Sequence, residues 1–228
     1  MPNENGAGFD IYEDPDLFAE AINFTSAITG FAARLIEKDY FASVLLRHLC
    51  SESADLVFKG GTCLSKVYWG FSRLSEDLDF SVAVPLEATR GQRRVAASPM
   101  KQAVGAIPTT LRTFRLEEAL RGFNVSTQYV SALSYESQIV EEAEKIKVEI
   151  GFREPLLLGA VALEARTLLL DPVGGEAMVA DLRSTRHGGV GSLRRENASG
   201  PYASRAGRAR FLRLRLCRSG GIPPAGGR

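Results

Sequence analysis

The chain has 228 residues, of which 45% are hydrophobic and 24% charged, and its formal net charge is +1. No apolar run approaches the roughly 20 residues of a membrane-spanning helix, and the acidic N-terminus lacks a secretory pattern, so we expect no membrane partner. Cys50, Cys63 and Cys217 are far apart and lie in no metal-binding spacing, which argues against a zinc site or a disulfide framework and favours a cytoplasmic location.

Two helices are predicted in the first 50 residues. Asp14 and Pro15 begin the first helix, because proline favours the first helical position, and the helix extends to about Gly30. Apolar residues at helical spacing predict the second helix over about residues 31–50.

A glycine-rich turn follows an apolar run at residues 56–58. Gly60 and Gly61 allow backbone amides to approach a phosphate, because neither carries a Cβ atom. Helix-like spacing continues from Thr62, the expected N-cap, to about Trp69, and would present unpaired N–H groups beside the glycines. The alternative is that the glycine pair only forms a tight turn between a strand and a helix.

Two aspartates lie on the strand predicted after this turn. Asp77 and Asp79 are two residues apart, so both carboxylates share one face and can bind one hard cation such as Mg2+ or Mn2+. The alternative is that they are ordinary turn or strand-edge acids. Downstream of a phosphate-binding turn, a paired-carboxylate metal site is what nucleotidyl transfer requires.

The later elements predict an α+β fold. Residues 86–121 are predicted to form helical pieces that are broken at Pro99 and Pro108. Alternating polar and apolar residues predict strands over residues 124–133 and 146–152. Helices first, followed by strands with helical insertions, are typical of the α+β class.

Two sequence runs carry a family resemblance. Lys-Gly-Gly-Thr at residues 59–62 and Arg-x-Ser-x-Asp-x-Asp at residues 73–79 resemble the AbiEii/AbiGii-type nucleotidyltransferase toxins of bacterial toxin–antitoxin and abortive-infection systems. The runs at residues 37–40 and 145–150 also fit, and the resemblance covers about residues 12–178. It implies a nucleotidyltransferase-like mixed sheet with N-terminal helices packed against it.

The resemblance also implies a reaction. An acceptor hydroxyl, on tRNA or another RNA, would attack the α-phosphate of an NTP in a step that depends on Mg2+ or Mn2+, and a cognate antitoxin would be the protein partner. Asp77, Asp79 and Glu149 would be the catalytic residues, with Glu149 as third acidic ligand and general base. The alternative for Glu149 is a solvated residue that opposes Lys147.

Further residues around the two motifs are nucleotide-binding candidates. Lys66 could hold a phosphate as a point charge or lie on the surface, and Arg73 could instead pair with Glu76 or Asp77. Lys59 is expected to be structural or exposed. The nucleotide-binding candidates are Gly60, Gly61, Thr62, Ser65, Lys66, Arg73 and Ser75.

The last part of the chain differs in charge and composition. Residues 1–182 contain 17 basic and 26 acidic side chains, whereas residues 183–228 contain 11 arginines and a single acid, Glu196. A segment so rich in arginine, glycine, serine, alanine and proline cannot bury enough apolar surface to order itself easily. We therefore predict a C-terminally incomplete nucleotidyltransferase-like domain at residues 1–182 and an irregular, disordered basic tail at residues 183–228.

The tail also departs from the family that the motifs resemble. Family members continue into helices that supply a lysine and a later Arg-Asp motif, but no lysine follows Lys147 and no aspartate follows Asp181. We expect residues from about 180 onward to be a frameshifted or replaced C-terminus; the alternative is a basic arm that binds RNA phosphates. Without that lysine a positive charge beside the phosphates is missing, so we predict feeble or absent transfer of a nucleotide from NTP to tRNA. The alternatives to an active toxin are thus an impaired remnant and an RNA-binding module that uses the tail.

Overall fold

The computed structural model describes residues 9–53, 55–69, 71, 74–152 and 164–179. Arg73, the domain boundary after residue 182 and the basic tail at residues 183–228 lie outside the described residues, so the expectations for them remain predictions. No helix in the described part of the chain is long and apolar enough to cross a membrane.

Two N-terminal helices form where the sequence predicts them. Helix α1 covers Pro15–Thr29, and the Asp14 side chain caps it by accepting a hydrogen bond from the Leu17 amide. The helix ends at Gly30, whose φ of 75° lies in the left-handed region that glycine tolerates best. Helix α2 covers Ala33–Glu52. Both predicted helices are confirmed.

A five-stranded mixed sheet forms the second layer of the described fold. Its strands are β1 (Leu56–Lys59), β2 (Leu78–Val82), β3 (Phe114–Phe123), β4 (Gln128–Glu136) and β5 (Ala143–Gly151). In spatial order they run β1-β2-β5-β4-β3, and β2 and β5 are parallel while the other neighbours are antiparallel. The predicted α+β class and mixed sheet are confirmed.

The helices pack on one face of this sheet. Phe41 of α2 lies with its ring centroid 4.0 Å from that of Tyr135 on β4 and 5.8 Å from that of Phe114 on β3. Burial of these apolar rings supplies much of the stability of the two layers. Helix α5, Ser98–Thr110, packs against β3, whereas the shorter helix α4, Arg90–Ala96, has no buried residue.

The helix after the glycine pair begins earlier than predicted. Helix α3 covers Gly60–Cys63 and is followed by a π-helical segment at Leu64–Trp69. Lys59 is the N-cap residue, because Gly60 at a φ of 78° turns the chain out of β1 and directly into the helix. The prediction of Thr62 as the N-cap is therefore wrong.

Two other sequence predictions fail in the β3–β4 hairpin. Residues 114–121, predicted as helical, belong to β3, because cross-strand pairing with β4 outweighs local helical preference. Residues 124–127, predicted as strand, form the turn, and the three residues from Asn124 have φ values between 48° and 60°. The strand predicted at residues 146–152 is confirmed and begins earlier, at Ala143.

Candidate active site

Strand pairing brings three charged side chains into one row across the sheet. Lys59 at the end of β1 pairs with Asp79 on β2, and Asp79 pairs with Glu149 on β5. Paired residues on neighbouring strands place their side chains on the same face. The next pair, Phe80 and Ile150, is fully buried on the helical face, so the charged row lies on the opposite face. The structure thus places Glu149 beside Asp79.

The carboxylates of this site influence one another electrostatically. Burial, followed by the negative charge of Glu149, raises the pKa of Asp79 above its ordinary value, and Asp77 acts in the same direction. Lys59 and Lys147 oppose this shift. The negative charge of Asp79 is therefore disfavoured in this half-buried position, because its lysine neighbours only partly offset burial and the nearby carboxylates. Such a position favours a bound cation.

Lys147 forms an ion pair with Glu149, two residues away on β5. Its Nζ lies 3.0 Å from Glu149 Oε2, and this hydrogen bond raises the pKa of Lys147. The sequence left open whether Glu149 belongs to the site or simply opposes Lys147. The structure contains both features, because Glu149 also pairs with Asp79 across the sheet.

The oxygen donors of this site suit a hard divalent cation that keeps some of its water. Among the residues that the structure describes, no group of three or more His, Cys, Asp or Glu side chains forms a metal-binding cluster. Mg2+ is usually held by one or two carboxylates together with waters and substrate phosphates, so a two-aspartate site fits it. Asp77 and Asp79 are the residues that could hold Mg2+ or Mn2+ in this way. Glu149 lies beside Asp79, but in the described part of the chain it does not complete the three-carboxylate ligand set that the resemblance implied.

The position of Asp79 requires a glycine at residue 60. A Cβ atom on Gly60 would lie 2.2 Å from Asp79 Oδ2, far inside contact distance, and Gly60 also has a φ of 78°. The missing side chain lets the carboxylate lie directly against the turn. The tight strand–helix turn that the sequence offered as an alternative is therefore present, and Gly61 follows it in the first turn of α3.

Replacing Gly60 with alanine should impair the site as well as the fold. The new Cβ would displace the Asp79 carboxylate, so we expect calorimetry to show metal-dependent NTP binding weakened on the order of 100-fold. Gly30→Ala is the matched control, because Gly30 has a φ of 75° but no atom within 4 Å of an added Cβ. It should lose about 1–2 kcal/mol of unfolding free energy yet bind NTP normally. Wild-type binding by Gly60→Ala would contradict the packing argument.

The buried Thr62 hydroxyl joins the glycine turn to the aspartate segment. It donates a hydrogen bond to the carbonyl oxygen of Asp77 at 2.5 Å and lies 3.4 Å from that of Ser75. Thr62 thereby holds the backbone that places both Ser75 and Asp77. Because its hydroxyl is engaged with protein, Thr62 acts on the site in this structure by positioning Asp77.

Lys66 is buried against α2, where it pairs with Asp39 and not with Asp77 or Asp79. Its Nζ lies 2.7 Å from Asp39 Oδ1 and 2.8 Å from Ser43 Oγ, and its side chain is fully buried. Burial lowers the pKa of Lys66, while Asp39 acts against this shift. The phosphate contact that the sequence suggested would require Lys66 to leave this ion pair. Lys66 is therefore not the surface side chain offered as its alternative, and Ser65 is also buried.

Three consecutive charged residues of α2 hold the segments around the site. From the sequence alone, the run at residues 37–40 supports only the family resemblance. Each side chain binds a different segment: Glu37 binds Ser137 and Gln138, Lys38 binds Glu76 and Glu144, and Asp39 binds Lys66. Three adjacent charges among apolar neighbours on a predicted helix could have indicated these contacts, because charged side chains are rarely buried unless they are paired.

Lys59 is the member of the row that the sequence did not assign to the site. It is half-buried, and its Nζ lies so close to Gly151 that an added Cβ there would come within 3.4 Å of it. The missing side chain at Gly151 thus leaves room for the lysine to extend across β2. Its place beside the glycine pair was a signal, but only the strand register shows that it faces Asp79.

A family model and two solved structures resemble this chain. The model described as nucleotidyl transferase AbiEii toxin of a type IV toxin–antitoxin system matches residues 44–184. A candidate nucleotidyltransferase from H. pylori is 21% identical with a TM-score of 0.35, and the match covers 52% of this chain and 47% of that one. JHP933 from Helicobacter pylori is 22% identical with a TM-score of 0.35, covering 51% and 45%. The chain spans about half the length of these two proteins, and no curated protein matches it.

Proposed function

Because this chain belongs to the AbiEii family of nucleotidyltransferase toxins, we propose that it transfers a nucleotide from an NTP to an RNA hydroxyl, with Mg2+ or Mn2+ bound by Asp77 and Asp79. The observation that carries the proposal is the row in which Asp79 lies between Lys59 and Glu149. One face of the sheet therefore carries Asp79 for a cation, Glu149 as a base and Lys59 as a positive charge for phosphates. The resemblance favours tRNA as acceptor, a cognate antitoxin as partner and the cytoplasm as location.

The proposed reaction is a displacement at the α-phosphorus of the NTP. The acceptor oxygen forms a bond to that phosphorus, the bond to the oxygen that bridges the α- and β-phosphates breaks, and pyrophosphate leaves with the electron pair. Glu149 accepts the hydroxyl proton, a role that its place beside Asp79 supports. The bound cation would neutralise part of the phosphate charge.

The glycine turn and the segment before β2 are proposed to bind the NTP. Backbone amides at Gly60 and Gly61 approach the phosphates, and Ser75 lies on the segment that Thr62 holds. Arg73 keeps its proposed role beside Ser75, although it lies outside the described residues. The buried residues Ser65 and Lys66 contribute in this proposal by supporting the turn.

Lys59 is proposed to be a side-chain cation that contacts the phosphates, in addition to Arg73. The resemblance predicts a lysine after the last strand, but no lysine follows Lys147 in the chain. Lys66 is bound to Asp39 in the core, and Lys147 pairs with Glu149. Lys59 is half-buried on the face of the carboxylate row, where it can meet the phosphates of a metal-bound NTP.

Transfer of label from an α-labelled NTP to tRNA tests the proposal. With Lys59 supplying the positive charge that the missing C-terminal lysine would provide, we expect the wild type to transfer label, and only when Mg2+ or Mn2+ is present. Lys59→Met should lower the rate on the order of 100-fold, because the transition state loses a preorganised positive charge. Lys145→Met is the matched control, since Lys145 is exposed on the same strand as Glu149 and should leave the rate unchanged.

Each contrary result of this assay has a definite meaning. NTP binding without any transfer would support the impaired remnant, which the missing C-terminal lysine favours. Transfer without a divalent cation would overturn the metal site, and equal rates for Lys59→Met and Lys145→Met would overturn the role of Lys59. The third function, an RNA-binding module that uses the tail, depends on residues 183–228, outside the described residues.

A further inference from the structure

Basic residues are concentrated in one segment of an otherwise acidic body. Residues 88–125 contain seven basic and two acidic side chains, whereas residues 1–182 as a whole contain 17 basic and 26 acidic side chains. The remainder of the body therefore repels a polyanion, and this segment attracts one. The segment includes α4, α5, β3 and the first two residues of the β3–β4 turn.

Helix α4 presents its arginines at the end of the sheet where β2 and β5 end. Arg90 and Arg94 are exposed, and no residue of α4 is buried. Arg93 attaches the helix to the β3–β4 turn, because its guanidinium donates hydrogen bonds to the carbonyl oxygens of Val125, at 3.1 Å, and Ala88. Arg93 is thus engaged in structure, while Arg90 and Arg94 are accessible to a ligand.

The strand register brings the basic segment close to the row formed by Lys59, Asp79 and Glu149. Arg121 on β3 pairs with Val130 on β4, and Val130 pairs with Glu149 on β5, so Arg121 continues the row on the same face. Two strand spacings place the Cα atoms of Arg121 and Glu149 about 10 Å apart. Phe123, one row further toward the turn, lies on this face with 51% of its surface exposed.

We propose that Arg90, Arg94, Arg121 and Phe123 form a surface that binds the RNA acceptor, here called the acceptor surface. The arginines would bind backbone phosphates, and the exposed Phe123 ring would stack on a base of a single-stranded segment. An acceptor held there would reach the NTP, because the surface adjoins the row that contains Glu149. That the bound RNA is the acceptor rests on the proposed function, but RNA binding itself can be measured independently of nucleotide transfer.

Binding of fluorescent single-stranded RNA to the full chain, without NTP or divalent cation, tests this surface. The combined variant Arg90→Ala, Arg94→Ala and Arg121→Ala should bind on the order of 10-fold or more weakly. Its slope of log K against log salt should fall by about 2, because three phosphate contacts are lost at about 0.7 each. Phe123→Ala should weaken binding about 10-fold without changing that slope.

Arg112→Ala combined with Arg115→Ala is the matched control. Both arginines are exposed and belong to the same basic segment, but they lie at the opposite end of β3 and should leave RNA binding unchanged. Equal losses in both sets of variants, or none in either, would overturn the acceptor surface. Binding of poly-glutamate is measured on the same variants. If the triple arginine variant keeps its RNA binding but loses poly-glutamate binding, the surface binds an acidic protein partner and the acceptor surface is also overturned. Calorimetry of Mg2+–NTP on the same variants should match the wild type, so failure of the nucleotide site is detected separately.

Discussion

Replacing Asp79 with asparagine should abolish metal-dependent NTP binding while leaving the protein at least as stable as the wild type. Asparagine has nearly the same shape, so it fits against Gly60, but it removes the charge that would hold the cation. Burial and the charge of Glu149 raise the pKa of Asp79, which means that the folded protein disfavours the ionised form. Removing that charge relieves the repulsion. We expect label transfer to fall on the order of 100-fold or more.

The melting temperature, measured on the same samples without and then with Mg2+ and NTP, separates stability from ligand binding in the Asp79→Asn variant. Mg2+ and NTP together should raise the melting temperature of the wild type, because a ligand that binds only the folded state stabilises it, and should not raise that of Asp79→Asn. Asp77→Asn should behave in the same direction. Glu142→Gln, a charge-removing change at an exposed residue near the start of β5, is the control and should retain the ligand response. A normal response in both aspartate variants would remove the site from consideration.

Replacing Lys66 with methionine should destabilise the fold strongly. The Lys66 ammonium lies 2.7 Å from Asp39 Oδ1 in a fully buried position, and its loss would leave the Asp39 carboxylate buried without its cation. Breaking such a pair lowers the free energy of unfolding by about 3–5 kcal/mol. Urea unfolding followed by circular dichroism would measure the change.

The double variant Lys66→Met and Asp39→Leu distinguishes a structural ion pair from a phosphate contact. Replacing both partners with apolar residues of similar size removes the uncompensated charge, so most of the lost stability should return. NTP binding by the refolded double variant should then be close to that of the wild type. A Lys66→Met protein of normal stability that has lost NTP affinity would instead show that Lys66 contacts the phosphates, as the sequence first suggested.

The elements that sequence analysis predicted well are those with local signals. The Asp14 cap, Pro15 and Gly30 define the ends of α1, because capping depends on a few neighbouring residues. The hairpin at β3 and β4 was placed poorly for the opposite reason. Its first strand forms by pairing with β4, and its turn uses residues that an alternating pattern cannot distinguish from strand.

The candidate site divides in the same way. Gly60, Asp77 and Asp79 were singled out from the order and spacing of two short motifs. Lys59 was not, because nothing near it in sequence shows which residue it faces. Lys66 was proposed for a phosphate because it lies one turn after Thr62, and the structure places it in a buried pair with a residue 27 positions earlier.

The sequence by itself determined the family, the glycine turn and the paired aspartates, since these depend on residue types at short spacing. Tertiary structure decided that Asp79 pairs with both Lys59 and Glu149. Glu149 is 70 residues beyond Asp79, and their meeting depends on the register of the parallel pair β2 and β5. A shift of one residue would turn Glu149 to the helical face, so burial of Phe80 and Ile150 on that face sets the register and with it the site.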